Sequence, residues 1–141
     1  MDVTRIDQIA IAVEDLDAAL AFYARAFGLH PRSRAVVETD GVEEAMFDVG
    51  GVAIQLVAPT QPDSPVGRFL ARHGPGLHHL GFGVTDLPAA LAHLENEDVE
   101  LIDTKPRTGG DGHSIAFVHP RGTGGVLVEL VEDRSDEMSR T

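Results

Sequence analysis

Four polar residues interrupt otherwise apolar strand-like segments of this 141-residue chain: Gln8 in "IDQIAIAV", Gln55 in "VAIQLV", His79 in "LHHLGFGV" and Glu129 in "VLVEL". Two amides, an imidazole and a carboxylate form an oxygen-and-nitrogen donor set of the kind that binds a divalent cation such as Co, Zn, Mn or Ni. Cobalt is the first candidate. The chain has no cysteine, so no thiolate competes for the ion, and neither a disulfide framework nor a cysteine nucleophile is available. Gln8, Gln55, His79 and Glu129 are therefore the predicted metal ligands.

Their spacing follows from a repeat. "IDQIAIAVEDLDAAL" and "LHHLGFGVTDLPAAL" superimpose at an offset of 71, which sets Gln8 on His79, Asp15 on Asp86 and Leu16 on Leu87. After a three-residue glycine-rich insertion, "IQLV" falls on "VELV" at an offset of 74, so Gln55 and Glu129 are partners too. Each half reads strand, helix, then two or three strands. Two copies are too few for a solenoid, which needs at least three stacked units. The expectation is one domain over 1–141, built of two pseudo-symmetric modules, about 4–58 and 75–132, joined by a linker over 59–74.

The elements that must position the four residues are legible in outline. Asp15 or Asp17, and Asp86 followed by Pro88, supply helix N-terminal signals. Leu16, Leu20, Phe22, Tyr23 and Phe27 recur at helical spacing before a stop at Gly28, and Leu87, Leu91 and Leu94 mark a second helix over about 88–97. A short helix is expected around 66–73, and the polar "EDRSDEMSRT" is expected to fray.

Alternate side chains of a strand face opposite sides of a sheet. Ile9, Ile11 and Val13 share one face, with Gln8, Ala10 and Ala12 on the other; the repeat gives Leu80, Phe82 and Val84 against His79, Gly81 and Gly83. The bulky sets must pack under the helices. The opposite faces each carry one polar residue followed by small ones, which predicts open space beside the ligands.

A formal net charge of −12 argues against nucleic acid or anionic lipid over a broad surface, though not against a small anionic ligand held locally. No apolar run approaches the roughly 20 residues needed to span a bilayer. The first residues lack a basic-then-apolar signal pattern. The chain reads as a soluble cytoplasmic protein.

Paired strand-helix-strand modules whose polar residues meet in an open cup resemble the vicinal oxygen chelate (glyoxalase/bleomycin-resistance/dioxygenase) superfamily. Within it the chain is similar to the methylmalonyl-CoA epimerases along nearly its whole length, through "GVEEAMFDVG", "VAIQLVAPTQPDSPVGRFLARHGPGLHHLGFGV", "VELIDTKPRTGGDG" and "IAFVHPRGTGGVLVELVE". The resemblance implies an α+β fold of paired βαβββ modules forming an open, metal-holding half-barrel, and a homodimer. The implied activity is interconversion of (R)- and (S)-methylmalonyl-CoA within propionate metabolism. It also implies the ligand set His, Gln, His, Glu, which Gln55, His79 and Glu129 match. Position 8 departs, carrying Gln in place of His. An amide can ligate through its oxygen, and the exchange tilts the site toward harder metals.

Inverting an α-carbon needs a proton taken on one face and returned on the other. Glu44 matches the family's catalytic glutamate in "GVEEAMF", and by parity it shares the cup face with Met46, opposite Ala45 and Phe47. Glu129 is the candidate second acid/base group. Glu43 has the wrong parity. Lys105 and Arg107, just ahead of the glycine-rich "TGGDGHS", and Ser114 within it are candidate substrate-binding residues for the acyl-CoA thioester, with Arg68, Arg72 and Arg121 as further candidates for its phosphates.

Other members of the superfamily fit less well. A glyoxalase I would want a carboxylate at position 55, and Gln8 spoils the two-His-one-carboxylate triad of an extradiol dioxygenase. The alternative kept open is a divergent relative marked by Gln8. Such a protein would either act on another acyl-CoA or bind a small molecule without turnover.

Overall fold

The structure, a computed structural model, describes residues 1–134; the last seven residues of the segment expected to fray lie outside them. In chain order the elements are β1 (Val3–Ala12), α1 (Leu16–Phe27), β2 (Ser33–Val37), β3 (Val42–Val49), β4 (Val52–Pro59), α2 (Pro65–His73), β5 (Gly76–Val84), α3 (Leu87–Asn96), β6 (Arg107–Thr108), β7 (Ser114–Val118) and β8 (Val128–Glu132). They fall into two compact units: Gln8–His78, and Met1–Asp7 together with the chain from His79 onward. Strand order is β2-β3-β4-β1 in the first and β6-β7-β8-β5 in the second.

Both main helices start on the duplicated aspartate. The Asp15 carboxylate accepts from Ala18 N at 3.0 Å, and Asp86 accepts from Ala89 N at 3.0 Å. Such a cap is worth about 1 kcal/mol. Gly28, at φ 68°, takes the left-handed turn that ends α1 and donates back to Ala24 O. In the linker, Ser64 caps α2 by accepting from Gly67 N at 3.1 Å, with Pro65 as first helical residue. Gly67 is required by packing, since a Cβ there would lie 2.4 Å from Pro62 O.

The sheet registers repeat as closely as the sequence does. In the first unit β1 runs parallel to β4 with Gln8 opposite Ala53 and Ala10 opposite Gln55; in the second, β5 runs parallel to β8 with Gly81 opposite Glu129. These pairings coincide under the offsets of 71 and 74. The antiparallel neighbours follow the same rule: Glu44 faces Val57 and Met46 faces Gln55 across β3–β4, while Ile115 faces Val131 and Phe117 faces Glu129 across β7–β8.

One face of each sheet packs on its helix. Leu16, Ala45, Phe47, Leu56 and Ala58 form the core under α1, joined by Ile11, Val13, Leu20 and Tyr23. Under α3 lie Val84, Leu87, Ala90, Leu91, Ala116, Val118, Val128 and Leu130. Phe22 and Phe27, which helical spacing assigned to this set, are instead exposed. Phe22 sits two residues from Leu20, about 200° around the helix, and Phe27 is the last helical residue; their rings meet edge-on at 5.9 Å.

The opposite faces are less open than their small residues suggest. Over Ala12 the space is filled by α2, whose Val66 packs with Val42 and Val57 and is flanked by Phe69 and Leu70. At the equivalent position in the second unit, a Cβ on Gly83 would lie 2.7 Å from Asp133 Oδ1 and 2.8 Å from Arg5 Nε. Asp133 belongs to the segment expected to fray, and the structure corrects that. Its buried carboxylate accepts from Thr4 Oγ1 at 2.6 Å and Arg5 Nε at 3.1 Å, and its N–H donates to Val84 O at 2.8 Å. Glu132, the last residue of β8, accepts from Leu87 N at 2.8 Å. A run of charges looks solvated in sequence because its partners lie far away along the chain.

Candidate metal and acid/base site

In the first unit the candidate residues follow a diagonal across the face turned away from α1. Gln8 on β1, Gln55 on β4 and Glu44 on β3 are each two residues out of direct opposition, on the same side of the pleat. Diagonal neighbours of this kind lie about 7–8 Å apart at the backbone, within reach of glutamine and glutamate side chains. The Gln55 Nε2 amide donates to Glu44 Oε2. Met46 shares their face. Glu43 points the other way and is held at its carboxylate by Arg34, through Nη2 at 3.0 Å and Nε at 3.1 Å; Arg34 also reaches Asp17 of α1 at 2.6 Å. These two carboxylates hold the Arg34 guanidinium in its charged form and push its pKa up.

The second unit carries His79 on β5 and Glu129 on β8, again on the face turned away from the helix. The register that sets Glu129 opposite Gly81 makes His79 its diagonal neighbour. Phe117, which parity alone could have flagged, completes the arrangement. It lies opposite Glu129, its ring meets the His79 ring edge-on at 5.6 Å, and Arg107 stands over it at 5.4 Å from the ring centroid. Arg107 is thus set beside the candidate residues of this unit, with Nε also donating to Asp103 at 3.3 Å. Ser114 is half-buried opposite Thr108, and Lys105 is exposed.

Five other basic and histidine side chains have local partners. Arg68 donates to Asp63 O at 2.6 Å, and Arg121 to Glu100 at 2.7 Å. Arg121 keeps the Glu100 carboxyl below its ordinary pKa. His119 caps the turn at 120–122 by accepting from Arg121 N at 3.1 Å. His113 pairs with Asp111 at 2.9 Å. His78 packs edge-on against Phe69 of α2 at 4.9 Å, and burial pushes its imidazole pKa down.

Burial separates the candidate ligands from ordinary surface polarity. Gln8, Gln55, His79 and Glu129 are 6, 7, 9 and 8 % exposed, and with Ser64 and Asp133 they make up the buried polar residues described. Ser64 and Asp133 are accounted for as a helix cap and an ion-pair partner. Gln55 is not: its Oε1 is buried and has no hydrogen-bond partner among the described residues. An orphaned carbonyl oxygen costs about 1–3 kcal/mol unless something binds it. A hard or borderline cation answers that demand, so the donor chemistry fits a divalent metal. No group of three or more His, Asp or Glu among the described residues is placed to hold a metal ion; the predicted set contains only two such residues, His79 and Glu129.

The model of the Glyoxalase/Bleomycin resistance protein/Dioxygenase superfamily matches residues 7–117. The chain belongs to that superfamily, and its fold is the family's α+β arrangement of paired βαβββ modules. It is 43% identical to the uncharacterized protein YqjC of Bacillus subtilis over 94% of this chain and 95% of that one. It is 32% identical to the mitochondrial methylmalonyl-CoA epimerase of Homo sapiens, over 89% of this chain and 72% of that one. Among solved structures, a variant of Streptomyces coelicolor methylmalonyl-CoA epimerase in complex with 2-nitronate-propionyl-CoA superposes with a TM-score of 0.89 at 40% identity, covering 95% of this chain and 97% of that one. Epimerases are isomerases, and the chain is an enzyme of that class. No helix among the described residues is long and apolar enough to cross a membrane.

Proposed function

We propose that this enzyme interconverts the (R) and (S) forms of methylmalonyl-CoA, by taking the α-proton from one face and returning one to the other. The observation that carries the reading is the orphaned Gln55 Oε1, on a buried amide whose Nε2 is bonded to the candidate base, Glu44. The epimerases among its relatives support the substrate class.

In this reading Gln8, Gln55, His79 and Glu129 hold a divalent cation, with cobalt the first candidate and Zn, Mn or Ni the others. Such an ion supplies positive charge where a thioester oxygen gains electron density as its α-proton leaves. The chain's own residues do the rest. The Glu44 carboxylate takes the α-proton, which lies between a thioester and a carboxylate and so leaves a delocalised enolate. Glu129 carries the proton that is returned to the opposite face, and exchange with water then resets both carboxyl groups. General acid–base contributions of this kind are worth about 10²–10⁴-fold in rate. Arg107, beside Phe117, offers positive charge to the anionic substrate, with Lys105 and Ser114 as further contacts. We further infer a cytoplasmic homodimer working in propionate metabolism.

The test is incubation of the purified protein with methylmalonyl-CoA in deuterated water, with and without added Co²⁺. Deuterium at C2 is expected, with loss of optical purity. No uptake with any divalent metal would favour the second reading, a divergent relative that acts on another acyl-CoA or binds a small molecule without turnover. That reading has one observation behind it, the amide at position 8 where the family carries imidazole.

A further inference from the structure

Glu44 is assigned above to the α-proton, but its hydrogen bond points to an additional task. A glutamine amide is symmetric in shape and asymmetric in chemistry, with two donors on Nε2 and two lone pairs on Oε1. Rotating it by half a turn exchanges a metal ligand for a group that repels the metal. The apolar strands around Gln55 do little to choose between the two states. On its face of the sheet β4 contributes Ala53 and Val57, β1 contributes Ala10 directly opposite, and β3 contributes Met46 directly opposite.

A carboxylate does choose, because it only accepts hydrogen bonds. With Nε2 donating to Glu44 Oε2, the amide is pinned and Oε1 must turn to the other side. There it is buried and without a partner among the described residues. A buried carbonyl oxygen without a hydrogen-bond partner is costly, and a bound cation would offset that cost.

We infer that Glu44 is a positioning residue for Gln55: its carboxylate fixes the amide so that Oε1, and not Nε2, is offered to the metal. The inference rests on the metal-binding reading above, and it links the base to the ligand through one hydrogen bond on one face of one sheet. It also gives a physical reason for Gln at position 55. A carboxylate there would face Glu44 with no proton donor between them, whereas an amide can bond to a carboxylate on one side and a cation on the other.

The two tasks of Glu44 are separable by substitution. In Glu44→Gln the new side chain can still accept from Gln55 Nε2 through its own carbonyl oxygen, so orientation survives while basicity is gone. In Glu44→Leu both are lost. Calorimetric titration with Co²⁺ should therefore give Glu44→Gln an affinity within about threefold of wild type. Glu44→Leu should fall by on the order of 10- to 100-fold, the range for removing a group that orients a ligand. Both variants should lose α-proton exchange by about 10³-fold. Equal Co²⁺ affinity in wild type and Glu44→Leu would overturn the inference while leaving the metal site standing; absence of Co²⁺ binding in wild type would overturn both.

A second measurement needs no variant to fold. In the side-chain amide NMR spectrum of wild type loaded with diamagnetic Zn²⁺, the Gln55 NH₂ should keep one slowly exchanging, downfield proton. Two rapidly exchanging protons would contradict the assigned orientation.

Discussion

The two units share one frame and differ in what they mount on it. Parallel strand pairs in the same register, helices begun by equivalent aspartates and an apolar face under each helix recur in both. On the opposite face the first unit carries Gln8, Gln55 and Glu44, and the second His79 and Glu129 beside Phe117 and Arg107. The position equivalent to Glu44 is Ile115, opposite Val131 as Glu44 is opposite Val57. The repeat therefore supplies equivalent mounting points, and the two units place different residues on them.

The units also close the far end of that face by unlike means. Ala12 is covered by Val66, Phe69 and Leu70 around α2, an apolar plug. Gly83 is covered by Asp133 and Arg5, a charged one. Backbone symmetry does not oblige the two ends to be filled with the same chemistry.

The largest effect that would sharpen this contrast concerns the base. Glu44→Gln should lower the rate of α-proton exchange by about 10³-fold, within the range for losing a general base, measured by deuterium uptake at C2. An unchanged rate would move the base elsewhere.

Next come the two plugs. Asp133→Ala removes the buried carboxylate shared by Thr4 and Arg5 and should cost about 2–3 kcal/mol in urea unfolding, at or below the lower end for a broken buried pair because Arg5 keeps 28% exposure and its second partner, Asp7, at 2.7 Å. Val66→Ala removes two methyl groups from the apolar plug and should cost about 1.5 kcal/mol. Comparable losses would erase the distinction between charged and apolar closure.

A smaller effect is expected at the ligand that differs between halves. Gln8→His restores imidazole symmetry with His79 and should tighten Co²⁺ binding by roughly tenfold, about 1.4 kcal/mol. The least is expected at the surface. Arg121→Ala breaks an exposed pair with Glu100 and should leave neutral-pH melting unchanged. Arg121 holds the Glu100 carboxyl below its ordinary 4.5, so anything the pair adds is present above that pH and fades as acid protonates the group.

How far the sequence carries depends on the range of the interaction. Helix starts at Asp15 and Asp86, the stop at Gly28 and the side of the strands bearing Gln8, Gln55 and Glu44 all follow from contacts within a few residues or from pleat parity. The fate of Asp133 does not. Its partners, Thr4 and Arg5, are 129 and 128 residues away, and no local pattern announces them. Phe117 lies between: parity turned it toward Glu129, but its apolar side chain gave no chemical cue beside the polar residues. The small residues Ala12 and Gly83 misled for the same reason as Asp133, because what covers them arrives from distant parts of the chain.

The proposed function has Gln8, Gln55, His79 and Glu129 bind one cation. Equilibrium dialysis with Co²⁺ of wild type and of Gln8→Ala, Gln55→Ala, His79→Ala and Glu129→Ala tests it most directly. The account predicts one ion per chain in wild type and weakened binding in all four variants. Full-strength binding after both substitutions in either half would contradict it.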